Sequence, residues 1–203
     1  MIKAPKFVGD LSETDAAVLT KHAQAARTIL EFGAGGSTQI FAQASKPPSR
    51  VTSVETDAKW IASTTQRLGK LGVARKCEFT TYAAWQVQPP RSSAYDLVFV
   101  DGVGPLRRSF ALTAWPMLRE NGVMLFHDTR RAKDVANVLA LIGERFEEIG
   151  AVTFNEPANG STSNVSVVRK KRLERYVNWR KVEKKPAWKY GIGSVPEEFW
   201  SRG

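Results

Sequence analysis

Residues 28–38 read Thr-Ile-Leu-Glu-Phe-Gly-Ala-Gly-Gly-Ser-Thr, and no other stretch limits the fold as tightly. Thr28 to Phe32 carries β-branched and aromatic residues over the length of a short strand. Gly33 to Gly36 is a turn of small residues. Ser37 is placed to cap a following helix that buries Ile40, Phe41 and Ala44. A strand that passes through a glycine turn straight into a helix is half of a βα unit. Gly33 and Gly35 let backbone approach a ligand where a Cβ would clash. The helix start adds unpaired N–H groups and the positive end of a helix dipole.

The same alternation continues along the chain, which predicts an α/β domain with a mostly parallel sheet. Ser12-Glu13-Thr14-Asp15 resembles a capping box, so a first helix is expected from Ser12 through Ala26. Arg50 to Glu55 is the second strand. Asp57 can cap a helix whose inner face is Trp60, Ile61, Thr64, Leu68 and Leu71. Cys77 to Thr80 is a short third strand, followed by a loop containing Pro89-Pro90. Tyr95 to Val100 is almost wholly apolar, as expected of a strand covered on both faces. A helix is expected from Pro105 to Leu118, with Pro116 disturbing its last turn. Gly122 marks the turn into the strand Val123 to Phe126. A helix presenting Val135, Val138, Leu139 and Ile142 follows. Strands are expected near Phe146–Phe154 and Ser163–Val168, with Asn159-Gly160 as a hairpin turn between them.

The 203 residues, 42% hydrophobic and 25% charged, suit a globular domain with a substantial core. No apolar run is long enough to span a bilayer, and Met1 to Asp10 lacks an apolar signal core. The expected location is therefore cytoplasmic. Cys77 is the lone cysteine and reads as a buried thiol on a strand. The net charge of +10 is uneven. Residues 169–203 hold 11 Lys/Arg against 4 Asp/Glu, net +7, whereas residues 1–168 hold 19 against 16, net +3. This contrast divides the chain into a domain at 1–168 and a basic, aromatic-rich extension at 169–203.

Three ligands compete for the glycine turn. A P-loop needs Lys then Ser or Thr at the helix start, and no Lys is present. A dinucleotide fingerprint has Gly where this chain has Thr38. Glu55, at the end of the second strand, can take ribose hydroxyls of either remaining ligand. Glu31, just ahead of the turn, is awkward beside a pyrophosphate. It suits the cationic sulfonium and α-amino group of S-adenosylmethionine.

Glu31-Phe32-Gly33-Ala34-Gly35-Gly36-Ser37-Thr38 resembles motif I of class I methyltransferases. Ser53-Val54-Glu55-Thr56-Asp57 is similar to their acidic motif after the second strand. Tyr95 to Gly102 and Asn121 to Thr129 are similar to their fourth- and fifth-strand motifs. The likeness covers residues 12–168 with the motifs in family order. It implies a Rossmann-like, doubly wound seven-stranded sheet of order 3-2-1-4-5-7-6 with the last strand antiparallel. It also implies S-adenosylmethionine at the carboxyl ends of strands 1, 2 and 4. By position, Glu31, Gly33, Ala34 and Gly35 would hold the methionine part, Glu55 the ribose, and Thr56, Thr81 and Tyr82 the adenine, with Ser37 a further cofactor-binding candidate.

Methyl transfer from a sulfonium is an in-line displacement, so the protein must align an acceptor and, for a hydroxyl, remove its proton. Asp101, His127 and Asp128 end strands four and five and are the candidate catalytic residues. His127 is the candidate general base because imidazole titrates near neutrality. The opposing reading is a structural histidine bonded to backbone. Some small O-methyltransferases of this fold hold a divalent metal between carboxylates at these two strand ends. Here Thr129 replaces the Asn that usually follows the second Asp, and no His follows Asp101-Gly102. These departures disfavour a metal. Without one, Asp128 would cap the helix beginning near Arg130.

The expected activity is methyl transfer to an oxygen of a small molecule or sugar. Arg169-Lys170-Lys171-Arg172 and the interleaved Tyr176, Trp179, Trp188, Tyr190, Phe199 and Trp200 admit single-stranded nucleic acid as a partner. Packing of these aromatics on the body or in a homodimer is favoured over that. An RNA-directed methyltransferase, a non-catalytic binding module and a nicotinamide dehydrogenase are the competing readings.

Overall fold

Strand β4 (Tyr95–Val100) lies in the middle of the sheet, hydrogen-bonded in parallel to β1 (Thr28–Phe32) on one side and β5 (Leu118–Phe126) on the other. The structure is a computed structural model that describes residues 6–9, 11–87 and 93–172. Leu97, Val98, Phe99 and Val100 are all fully buried, which is why this stretch reads as a continuous apolar run. Their side chains alternate between the two faces. Val98 and Val100 join Leu30, Phe32, Phe110, Trp115, Met124 and Phe126 in one core. Leu97 and Phe99 join Leu19, Ile29, Phe41, Val51 and Leu125 in the other.

The sheet continues from β1 through β2 (Arg50–Val54) to β3 (Cys77–Thr80), all parallel. Its far side is built by β6 (Ile149–Thr153) and β9 (Ser166–Lys170), with β9 inserted antiparallel between β5 and β6. The order is β3-β2-β1-β4-β5-β9-β6. Strands β7 (Pro157–Ala158) and β8 (Ser161–Thr162) form a separate hairpin. With that hairpin set aside, the order is the expected 3-2-1-4-5-7-6. Asn159 and Gly160, at φ 51° and 73°, turn the small hairpin, as the Asn-Gly pair requires. Cys77 is half-buried on β3, and burial pushes its thiol up to about 12.

Helices α1 (Glu13–Ala23), α2 (Gly36–Ala44) and α3 (Ala58–Lys70) precede α4 (Tyr82–Gln86), α5 (Arg107–Ala114) and α6 (Ala132–Arg145). Ser12 caps α1, accepting from Asp15 N–H at 3.0 Å and donating its hydroxyl to the Asp15 carboxylate at 2.6 Å. Helix α1 stops at Ala23, three residues before the expected end. Asp57 caps α3 through Lys59 N–H at 2.8 Å. Pro116 does interrupt its helix. The expected run from Pro105 to Leu118 is α5 with a 3-10 turn at each end, Gly104–Leu106 and Trp115–Met117. The five-residue α4 is a departure from the expected loop.

Two apolar residues face outward against expectation. Trp60, assigned to the inner face of α3, is 42% exposed, and that face is held by Thr64 and Leu68. Leu139 on α6 is 54% exposed, while Leu141 is buried beside Val138. Arg169 and Lys170, expected to open the basic extension, are the last residues of β9. Lys170 is buried, its Nζ donating to the carbonyls of Trp115 and Leu118 at 3.1 Å. The expectations for residues 173–203 and for Pro89-Pro90 lie outside the described residues. Among the described residues no helix is long and apolar enough to cross a membrane.

Candidate active site

The carboxyl ends of β1, β2 and β4 are tied together by backbone. Phe32 O accepts from Asp101 N–H at 3.0 Å and Gly102 N–H at 2.7 Å, and Gly33 N–H donates to Val54 O at 2.9 Å. This leaves no room for a side chain at Gly33. A Cβ there would sit 2.5 Å from Gly102 N, and the residue's φ is +96°. Gly33 therefore answers first to the neighbouring strand. Gly36 answers to the N-terminal segment, since a Cβ would meet Phe7 Cβ at 2.8 Å. Gly36 N–H donates to Val8 O at 2.8 Å, so Phe7 to Gly9 cross over the turn like a strap.

A cavity of about 370 Å³ opens between this strap and the sheet. A slot of about 90 Å³, walled by Thr56, Tyr82, Val103, Leu106 and Phe110, lies beside it. Of the candidate cofactor residues, Gly33, Ala34, Gly35, Ser37, Glu55 and Thr56 line the cavity, and Tyr82 lines the slot. Glu55 has partners of its own. Its Oε2 accepts from Ala34 N–H at 3.1 Å, and its Oε1 accepts from Thr56 and Asp57 N–H at 2.7 and 2.9 Å. Thr81 lines neither space. It caps α4, accepting from Ala84 N–H at 3.1 Å.

Glu31 departs from its expected place. It is fully buried beneath the turn and lines neither space. Strand periodicity puts Glu31 on the Ile29 side of the sheet, under α2. There its carboxyl accepts from the hydroxyls of Ser37, Thr38 (2.7 Å) and Ser53 (2.9 Å). Burial pushes Glu31 up to about 7 even though all three hydroxyls oppose the shift. Its part is to fasten the first turn of α2 to β1. The sequence signal for this is the pair of hydroxyl residues six and seven positions downstream.

At the other end of the cavity, Asp101 leaves β4 while His127 and Asp128 leave β5. His127 Nδ1 lies 3.4 Å from Asp101 Oδ2 and 3.7 Å from Asp128 Oδ1, and its Nε2 lies 3.5 Å from Asp15 Oδ2. These are ion-pair distances, longer than good hydrogen bonds. Burial alone would push His127 down, but the surrounding carboxylates push it up to about 10. The direction of this shift favours the imidazolium over the neutral imidazole that a general base requires. Nor does either ring nitrogen bond to backbone. Asp15 is held below the usual carboxylate range. Burial opposes this, but His127, Ser12 and the Asn164 N–H at 2.6 Å prevail.

The cation that organises this end is Arg107, which no sequence motif singles out. It is 7% exposed at the start of α5. Its Nη2 donates to Asp101 Oδ1 at 2.6 Å and its Nη1 to Asp134 Oδ1 at 3.0 Å. Both Nη atoms reach Asp128 Oδ2 at 3.2 Å. Arg131 pairs with Asp128 and, at 2.6 Å, with Asp134. Asp128 does not cap α6, whose N-cap residue is Arg131. It holds φ +62°, a conformation Asp tolerates better than most residues, and turns its carboxylate toward the arginines.

Seven strands in the order 3-2-1-4-5-7-6, with a cavity over the turn after the first, define the class I methyltransferase fold. Residues 30–129 match the family model described as a methyltransferase domain. Several solved structures share the fold. The O-methyltransferase TomG from Streptomyces achromogenes, involved in tomaymycin synthesis and in complex with SAM, is 20% identical, with 80% of this chain and 82% of that chain covered and a TM-score of 0.65. Cofactor-bound Rv0187 from MTB is 22% identical over 81% and 82%, also at 0.65. The O-methyltransferase from Bacillus cereus in complex with SAH is 17% identical over 80% and 83%, at 0.65. No curated protein matches the sequence.

Proposed function

We propose that this protein binds S-adenosylmethionine in the cavity over the glycine turn and methylates an oxygen of a small molecule. The observation that carries the reading is the cavity itself. At about 370 Å³ it is within the range of small-molecule sites, it is floored by bare backbone at Gly33 to Gly35, and it runs from Glu55 to Asp101. TomG and the Bacillus cereus enzyme, both O-methyltransferases by name, were solved with SAM and SAH. The ligand supplies an activated methyl group on sulfonium.

The residues divide the work by position. Glu55 takes the ribose hydroxyls, while Tyr82 and Val103 flank the base in the smaller slot. The turn from Gly33 to Ser37 receives the methionine part. Asp101 lines the cavity and its Oδ1 is taken by Arg107, so Oδ2, 3.4 Å from His127 Nδ1, is the atom assigned to accept the proton of an acceptor hydroxyl. His127, whose charged form the surrounding carboxylates favour, stabilises negative charge on the acceptor oxygen.

Calorimetry with S-adenosylhomocysteine tests the binding step, with NAD as the competing ligand. Binding of S-adenosylhomocysteine that Glu55→Gln weakens is expected, and a chain that binds only NAD refutes the proposal. A panel of hydroxylated acceptors tests the chemistry. Asp101→Asn should lower turnover by about 10²- to 10⁴-fold while leaving the S-adenosylhomocysteine affinity intact.

A further inference from the structure

The carboxylates at the ends of β4 and β5 invite comparison with a divalent metal site. Asp101, His127 and Asp128 each offer a ligand atom, all within 4.8 Å of one another. We propose that no metal is used here because Arg107 stands in its place, holding Asp101 and Asp128 as a built-in cation. Arg107 acts as a positioning residue for Asp101.

A site made for a divalent ion leaves its carboxylates uncompensated until the ion arrives. Here each one is already answered. Asp101 pairs with Arg107 at 2.6 Å, and Asp128 with both Arg107 and Arg131. Asp134 pairs with Arg107 at 3.0 Å and Arg131 at 2.6 Å, and Asp15 faces His127 at 3.5 Å. Arg107 is saturated as well. Beyond the carboxylates, its Nε donates to Gly102 O at 3.2 Å and its Nη1 to His127 O at 3.4 Å. The guanidinium therefore joins the backbone ends of β4 and β5 and their carboxylates at once, the bridging that a metal would perform.

A divalent ion on the remaining oxygens would share both carboxylates with a fixed positive charge. Mg²⁺ also demands near-octahedral oxygens at about 2.0–2.1 Å. An imidazole and two carboxylates already committed to a planar fork serve that poorly. The chemical meaning of the cluster rests on the proposed function, but its indifference to metal does not.

Titration of the full chain with Mn²⁺, followed by electron paramagnetic resonance, tests this without an activity assay. The wild-type chain should bind no stoichiometric Mn²⁺ at millimolar concentration, and its melting temperature should not respond to Mg²⁺ or a chelator. Arg107→Ala should lose several degrees of melting temperature and gain a Mn²⁺ site that Asp101→Asn removes. That gain is a readout a merely structural arginine would not give. One Mn²⁺ bound per wild-type chain, abolished by Asp101→Asn, overturns the proposal. So does an Arg107→Ala chain that folds and gains no site. Should Arg107→Ala fail to fold, Arg107→Gln replaces it, and the wild-type titration by itself still upholds or overturns the proposal. Calorimetry with S-adenosylhomocysteine on the same samples separates failure of this proposal from failure of the proposed function.

Discussion

Replacing Gly33 by Ala adds one methyl group at the most crowded point of the sheet. Two costs can be separated. The residue holds φ +96°, and left-handed backbone costs an L-residue about 1–2 kcal/mol. The new Cβ would also lie 2.5 Å from Gly102 N and 2.9 Å from Gly102 Cα. Those are backbone atoms, held by their hydrogen bonds to Phe32 O, so they cannot swing aside. Overpacking of this kind adds about 1–3 kcal/mol, for a sum of about 2–5 kcal/mol. At roughly 2–4 °C per kcal/mol, the melting temperature should fall by roughly 4–20 °C. Gly160→Ala is the internal control. Gly160 has φ +73° with no atom within 4 Å of its would-be Cβ, so it carries the backbone cost alone. Urea unfolding of both variants, with midpoints compared at equal slope, isolates the clash. Should Gly33→Ala be no less stable than Gly160→Ala, the strand-to-strand account of Gly33 is wrong.

Two further predictions concern pH. His127 is raised from 6.5 to about 10, so its ion pairs stabilise the fold fully below pH 6.5 and that contribution is lost as pH rises through about 10. His127→Gln should flatten the alkaline decline in stability, a difference on the order of a few kcal/mol by urea midpoint. An unchanged pH profile would remove the imidazolium from the account. Glu31 is raised from 4.5 to about 7, so its contribution is present below pH 4.5 and is lost as pH rises through about 7. The stability advantage of wild type over Glu31→Gln should shrink across that window, and a gap independent of pH would contradict a protonated carboxyl beneath the turn.

The sheet was legible because its strands obey two simple signals. The apolar run at Tyr95–Val100 announces a strand covered on both sides, and the turn after Phe32 announces the βα unit. Trp60 and Leu139 misled because hydrophobic periodicity treats every apolar residue as core. Trp60 instead walls the cavity beside Asp57. Helix α4 is too short to give a periodic signal. The order of residues identified Asp101, His127 and Asp128 as neighbours at strand ends, but not the electrostatic setting they share. That depends on Asp15, Arg107, Arg131 and Asp134, which come from α1, α5 and the start of α6. Only tertiary folding brings those side chains within range, and together they favour the charged form of His127.

The strap at Phe7 to Gly9 puts part of the cavity wall on a segment that precedes the family-matched core. Val8, Gly9 and Leu11 face the cavity, yet all three fall before residues 30–129. The sheet can thus hold its glycine turn constant while the opposite wall is rewritten by a few substitutions near the amino end. Under the proposed function, a library varied at Val8 and Gly9 would change that wall without touching a strand of the sheet.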